Sequence, residues 1–171
     1  GADGSYTATV DYGFDGTATP TLAGYTFIPA TRTYTDVSSN QTAQDYAATL
    51  NTYTISGTVT PAMAGVVMTG LPGSPVTGAD GSYTATVDYG FDGTATPTLA
   101  GYTFVPPTRV YTDVTANQTA QDYAATLNTY TISGTVMPAM AGVVMTGLPG
   151  SPVTGADGSY TATVDYGFDG T

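Results

Sequence analysis

The chain has 171 residues, with two Arg as its only cations and thirteen Asp as its only acids, a formal net charge of −11 and no His, Cys, Trp, Lys or Glu. That balance repels a phosphate backbone and offers no polybasic contact to an anionic membrane, and the missing residue types remove the usual general bases and activated nucleophiles. No apolar run approaches the roughly 20 residues of a spanning helix, so nucleic-acid binding, membrane insertion and catalysis are not expected of this stretch.

The segment GADGSYTATVDYGFDGT begins at Gly1, again at Gly78 and again at Gly155, so the period is 77, the step from 1 to 78 and from 78 to 155. Residues 1–94 laid on 78–171 differ only at Ile28/Val105, Ala30/Pro107, Thr33/Val110, Ser38/Thr115, Ser39/Ala116 and Thr60/Met137. A strict internal repeat outranks length as a guide to architecture. It divides the chain into a partial repeat over 1–50 lacking its first two strands, a complete repeat over 51–127, and a partial repeat over 128–171 with the first three strands. A cysteine-free module of this size sits near the lower limit at which burial alone holds a fold. Contacts between neighbours are therefore expected to contribute.

Along the complete repeat, β-branched and aromatic residues dominate and helix formers are scarce. TYTISGTVT alternates, placing Tyr53, Ile55, Gly57 and Val59 on one face, a half-buried strand. Pro61 ends it. AGVVMTGL reads as a second strand, with Val66 and Met68 on one face and Val67, Thr69 and Leu71 on the other; the pattern does not choose the inward one. Asp80-Gly81 is the turn chemistry of a hairpin, and SYTATV follows with Tyr83, Ala85 and Val87 on one face. Asp88 to Gly93, DYGFDG, reads as a loop.

TATPTLAGYTF gives a strand, a glycine turn and the start of another strand, where Pro97 argues for an edge or a bulge because proline cannot donate to a ladder. VPPTR bends the chain into VYTDV. The last strand is QDYAATL, with Tyr123, Ala125 and Leu127 in register. About seven short strands per module predict an all-β fold of tandem Ig-like or transthyretin-like sandwiches.

Between Leu127 and Tyr130 lie only Asn128 and Thr129. Flexible arrays carry Gly/Ser or Pro-rich linkers. So short a joint predicts restricted hinge angles and a stiff chain, rising about 30–40 Å per module if each contributes one strand length plus loops.

The succession TYTISGTV, GVVMTGLPG, GADGSYTATV, GYTFVPPTR and NQTAQDYAATL resembles the carboxypeptidase regulatory-like domain over the whole repeat. The resemblance implies a transthyretin-like β-sandwich, often found in tandem in large bacterial surface proteins, with no catalytic residues of its own, used as a spacer or a binding and folding accessory. In carboxypeptidases such a domain accompanies a zinc peptidase, and nothing in this sequence looks like one.

Asp88 and Asp92 are the pair that could serve hydrolysis, but they sit in a Gly-rich turn, where Asp is favoured for backbone bonding. Asp80, Asp88 and Asp92 are candidate calcium ligands if hairpin and loop share one end of the module, since calcium gathers several oxygens; turn chemistry is the favoured reading. Asn40 and Asn117 open N-x-T sequons beside polar stretches and are candidate glycosylation sites. Arg32 and Arg109, equivalent lone cations, are expected to make local salt bridges. Tyr83, Tyr102, Tyr111 and Tyr123 could form a carbohydrate-stacking platform, yet alternation assigns most of them to the core.

The reading that follows is a non-enzymatic, extracellular or cell-surface rod or filament, with itself as partner through axial or lateral contacts, no cofactor, and covalent glycans as an optional decoration. The alternative is a repetitive adhesin or carbohydrate-binding module. A rod predicts contacts recurring once in every repeat. The incomplete repeats predict either a stretch of a longer periodic chain or subunits that share strands head to tail. The duplicated stretches 1–17 and 155–171 would compete for one place in a shared sandwich, which favours the longer chain.

Overall fold

The computed structural model describes residues 1–170, among which there are thirteen strands and no helix. Residues 1–50 contribute β1 (Phe14–Ala18), β2 (Tyr25–Ile28), β3 (Arg32–Val37) and β4 (Ala47–Leu50). Residues 51–127 contribute β5 (Thr52–Thr60), β6 (Val67–Thr69), β7 (Ser82–Asp88), β8 (Phe91–Thr98), β9 (Tyr102–Val105), β10 (Arg109–Val114) and β11 (Tyr123–Leu127). After these come β12 (Thr129–Thr135) and β13 (Ser159–Asp165).

The seven strands β5 to β11 form two sheets, ordered β7-β5-β11-β9 and β10-β8-β6. This is an all-β sandwich. Its core is a single cluster that includes Ile55, Val59, Val66, Met68, Tyr83, Val87, Ala95, Tyr111 and Tyr123. β5 is central because both its edges are used. It pairs antiparallel with β7 from Thr52↔Asp88 to Thr58↔Ser82, and on its other side it meets β11 in parallel at Tyr123↔Val59.

Ahead of those parallel positions the chain over Asn117–Asp122 straps onto β5. The Gln118 N–H donates to the Thr54 carbonyl (2.8 Å) and the Ser56 N–H to the Gln118 carbonyl (2.9 Å), while the Gln121 N–H donates to the Ser56 carbonyl (3.0 Å). The Thr58 N–H donates to Asp122 Oδ1 at 2.8 Å. This close approach is why position 57 is glycine: a Cβ there would collide with the Gln121 main chain.

Alternation in SYTATVD gives the burial expected of it, with Tyr83, Ala85 and Val87 inward. Four readings need correction. The GADG segment is a turn, closed by the Gly81 N–H to the Gly78 carbonyl, but not a hairpin: the chain before it bridges to Val67 through Val76 and β7 joins the other sheet. The expected loop over Asp88 to Gly93 shrinks to Tyr89 and Gly90, because β7 runs to Asp88 and β8 starts at Phe91.

The second strand is only three residues long, and Leu71 points inward together with Val66 and Met68. Gly70, at φ +84°, breaks the alternation between them. Pro97 lies in β8, the middle strand of its sheet, rather than in an edge strand. It is tolerated because the ladder to β10 stops at Ala95↔Arg109, so beyond Ala95 the strand has only β6 beside it.

In the flanking stretches β1 pairs with β3, β2 with β4, and β12 with β13, the last without a break from Thr129↔Asp165 to Thr135↔Ser159. Residues Ser5–Val10, which repeat the sequence of β7, form no strand, since 1–50 contains no copy of β5 for them to pair with.

Candidate functional site: the joint between modules

β11 ends at Leu127 and β12 begins at Thr129, so the expected two-residue junction is a single residue, Asn128. Its polar groups bond across the joint. The N–H donates to the Gly101 carbonyl at 2.8 Å and the carbonyl accepts the Tyr166 N–H at 2.8 Å. The side-chain Oδ1 accepts the Thr103 hydroxyl at 2.6 Å. One residue is thereby fastened to the glycine turn before β9 on one side and to the end of β13 on the other.

The preceding joint repeats this set. The Asn51 N–H donates to the Gly24 carbonyl (2.7 Å), the Tyr89 N–H to the Asn51 carbonyl (2.8 Å), and the Thr26 hydroxyl to Asn51 Oδ1 (2.6 Å). An aromatic contact accompanies the bonds at both joints. Gly24 and Gly101 have φ of +78° and +81°, and a Cβ at either would run into the ring of Tyr89 or Tyr166 respectively. Tyr89 also packs beside Tyr53, with ring centroids 6.4 Å apart. Tyr89 is half-buried and Tyr166 is 48% exposed, whereas the repeat counterpart of both, Tyr12, which faces no such glycine among the described residues, is 85% exposed. The Tyr side chain of the VDYG turn is thus an axial contact.

The other expected residues fall elsewhere. Asp80 lies before the first residue of β7 and Asp88 is its last, so roughly 20 Å of strand separates them at about 3.3 Å per residue. Each acid that bonds has a local task. Asp80 Oδ1 accepts the Ser82 N–H (3.0 Å) and hydroxyl (2.7 Å), bonds that hold its carboxyl below the usual range. Asp92 Oδ1 accepts the Asp113 N–H at 2.8 Å across the bulge of β10. Asp80, Asp88 and Asp92 therefore do not meet, and among the described residues no group of three or more acids gathers to hold a metal ion.

Among the described residues Arg109 makes no salt bridge of the expected kind. Its guanidinium donates to the Asp122 main-chain carbonyl at 2.7 Å and lies 5.4 Å from the centre of the Tyr123 ring. Arg32 does the same with the Asp45 carbonyl and the Tyr46 ring. The cation packs on an aromatic face while its head satisfies a main-chain carbonyl just ahead of the last strand.

Tyr83, Tyr111 and Tyr123 are buried and Tyr102 is half-buried, so these four form no open platform. The Tyr83 hydroxyl donates to the Gln121 carbonyl at 2.6 Å. Burial raises all three buried phenols, Tyr123 to about 12. Asn40 and Asn117 are exposed, and Asn117 Oδ1 accepts the Thr54 N–H at 2.9 Å.

Sequence reasoning missed the glycine and tyrosine of the joint, because LAGY and VDYG each read as an ordinary turn. The available signal was a tyrosine in a polar turn, off the alternating pattern of the strand before it.

The fold and this joint define an all-β sandwich protein with a fastened contact between successive modules. No family model matches the chain, and no solved structure matches it. It is 38% identical over 125 residues to the chitinase ChiA of Flavobacterium johnsoniae, an alignment covering 67% of this chain and 8% of that protein. The chain therefore spans less than a tenth of the length of that relative.

Proposed function

We propose that the chain is a structural, non-enzymatic tandem array of carboxypeptidase regulatory-like type that holds its modules in line as a stiff extracellular or cell-surface rod. The observation that carries this reading is the joint. A single asparagine bonded to both neighbours, with a tyrosine seated on a glycine of the preceding module, leaves little hinge freedom, and the same contacts recur one repeat along. Flexible display would need the opposite, a polar linker without bonds. Small-angle scattering tests it: the chain should give a rod-like distance distribution that persists at high salt. A broad distribution typical of modules moving independently would remove the basis of the proposal.

A second reading rests on the likeness to a chitinase. It places the array as a secreted or surface accessory that binds carbohydrate or spaces a partner domain from its substrate. Pull-down on insoluble chitin discriminates the two, since a pure spacer stays in the supernatant. Glycosylation at Asn40 and Asn117 is compatible with either, and mass measurement on native material tests it.

A further inference from the structure

We infer that β7 pairs edge to edge and antiparallel with the same strand of a second copy of this chain, Thr86 facing Thr86, so that copies associate side by side. A sandwich of two open sheets has edges at β7, β9, β10 and β6, and an unguarded edge is a template for another strand. Three of these are blunted. β6 has only three residues, β9 has four and runs into Pro106 and Pro107, and β10 is bulged, with Asp113 at φ +48°. β7 is different. It is seven residues long, contains no proline, keeps an unbroken register with β5 from Ser82 to Asp88, and carries no charge before its last residue.

The parity of the ladder shows what that edge offers. At its two ends the Val59 N–H donates to the Gly81 carbonyl (2.9 Å) and the Tyr89 N–H to the Asn51 carbonyl (2.8 Å). Bonded and non-bonded pairs alternate along antiparallel strands, so Tyr83, Ala85 and Val87 turn their main-chain groups to β5. Those of Ser82, Thr84, Thr86 and Asp88 face away from it. Ser82 is already served: its N–H donates to Asp80 Oδ1 at 3.0 Å and its carbonyl accepts the Gly78 N–H at 3.0 Å. The GADG turn thereby fills the place beside Ser82. Thr84 and Thr86 are exposed, and among the described residues no strand lies beside them.

These constraints select partner and register together. An antiparallel strand arriving here must pair with Thr84, Thr86 and Asp88 and be gone before Ser82, where Gly78 sits. A second β7 does so with Thr86 facing Thr86 and Thr84 facing Asp88, because it ends at Asp88 and the turn at Tyr89 and Gly90 takes its chain to the other sheet. Hydroxyl then meets hydroxyl, and hydroxyl meets carboxylate. The two Asp88 carboxylates stand about 13 Å apart along the strands, beyond the screening length of about 8 Å at physiological salt. Slipped the other way, the strand would bring Asp88 onto the Gly78 turn.

The same edge recurs one repeat along. β13 has the sequence of β7, an unbroken ladder to β12, and its own turn from the Gly155 N–H to the Ser159 carbonyl. Either strand can therefore meet either, and two pairings between the same two copies reinforce each other. The inference goes beyond the stiff joint, and each can fail alone: the shape of single copies reads the joint, whereas association between copies reads the edge.

The test uses the full chain and charges at the self-facing position. One variant carries Thr86→Lys with Thr163→Lys, the other Thr86→Asp with Thr163→Asp; both positions are exposed on their strands. Sedimentation equilibrium across a concentration series should show the parent forming dimers. Like charges directly opposite are unfavourable, so each variant alone should associate about tenfold more weakly, and an equal mixture should recover one-to-one dimers. Thr84→Lys with Thr161→Lys reads the register, since each ammonium would face a carboxylate of the other copy and tighten association about two- to tenfold. A parent that stays monomeric at every concentration overturns the proposal. So does a variant of position 86 that associates with itself like the parent, or a mixture that does not pair while the circular dichroism of both variants matches the parent.

Discussion

Tyr166 is seated on Gly101, a residue of the preceding module whose missing Cβ leaves room for the ring. The same pair exists one repeat earlier as Tyr89 on Gly24. A tandem protein that needed only to string modules together would not require this match. Removing the ring should leave each sandwich intact and loosen the array. For Tyr89→Ala, scattering should show a wider distribution of end-to-end distances than in the parent, while the melting transition of the middle module moves little. An unchanged distribution would show that the asparagine bonds alone set the joint.

The glycine side behaves differently, because it combines contact with conformation. Gly101→Ala would place a Cβ against the Tyr166 ring and force an L side chain to φ +81°. Left-handed backbone costs a non-glycine residue roughly 1–2 kcal/mol, so this variant should lower the stability of the middle module as well as loosening the joint. Chemical denaturation together with scattering reads both effects. Comparison with Tyr166→Ala, which removes the ring that faces Gly101, separates contact from strain.

Asn128 is the third member. Asn128→Ala removes the acceptor of the Thr103 hydroxyl but keeps both main-chain bonds. A hydrogen bond of this kind contributes about 0.5–1.5 kcal/mol net, and Thr103 is exposed, so water replaces part of it. The expected loss is at the low end of that range. Faster amide exchange at Tyr166 should accompany it, because that amide is the far side of the same joint.

How much of this was legible in the residues depends on the range of the interaction. Tyr83, Ala85 and Val87 were readable because alternation is local: one strand in one sheet gives one buried face. The absence of a linker was readable around Asn128, since strand-forming residues run up to it from both sides. Leu71 was not, because a left-handed Gly70 breaks what looks like continuous alternation. Nor was the task of Arg109, because the sequence shows thirteen carboxylates but not that the nearest acceptor in space is a main-chain carbonyl.

The spread of Asp80, Asp88 and Asp92 was equally hidden. It depends on β7 running its full length between the first two, and on the GADG turn passing the chain between sheets. Gly24 and Gly101 were invisible as a site because their partners, Tyr89 and Tyr166, lie most of a repeat further along the chain.

The conformation of Ala120 offers a way to strengthen the strap. Its φ is +55°, a region alanine adopts at a cost, and it lies between Gln118 and Gln121, both bonded to β5. Ala120→Gly relieves that cost but makes the unfolded chain more flexible, an opposing effect of about 0.4–1 kcal/mol. Against roughly 1–2 kcal/mol for a left-handed non-glycine residue, the net expectation is a stabilisation of about 0.5–1 kcal/mol, read as a higher denaturant midpoint with unchanged slope. A lower midpoint would mean that the Ala120 methyl contributes contacts that outweigh its strain.

Alkaline pH probes the core from another direction. Tyr83, Tyr111 and Tyr123 titrate above the ordinary phenol value of 10.0 because burial disfavours the phenolate, and Tyr123 is raised to about 12. Between those values the unfolded chain has released its phenolic protons and the folded chain has kept them. The unfolded state then binds fewer protons, so stability falls as pH rises. The stabilisation is fully present below about pH 10 and is lost progressively towards pH 12. Denaturation midpoints measured across that interval should decline, and Tyr123→Phe, which removes one of the three phenols, should flatten the decline while costing the long 3.5 Å contact from its hydroxyl to the Ala95 carbonyl. A variant that declines as steeply as the parent would assign the alkaline sensitivity to the exposed tyrosines or to general charge repulsion in an already acidic chain, and not to the core.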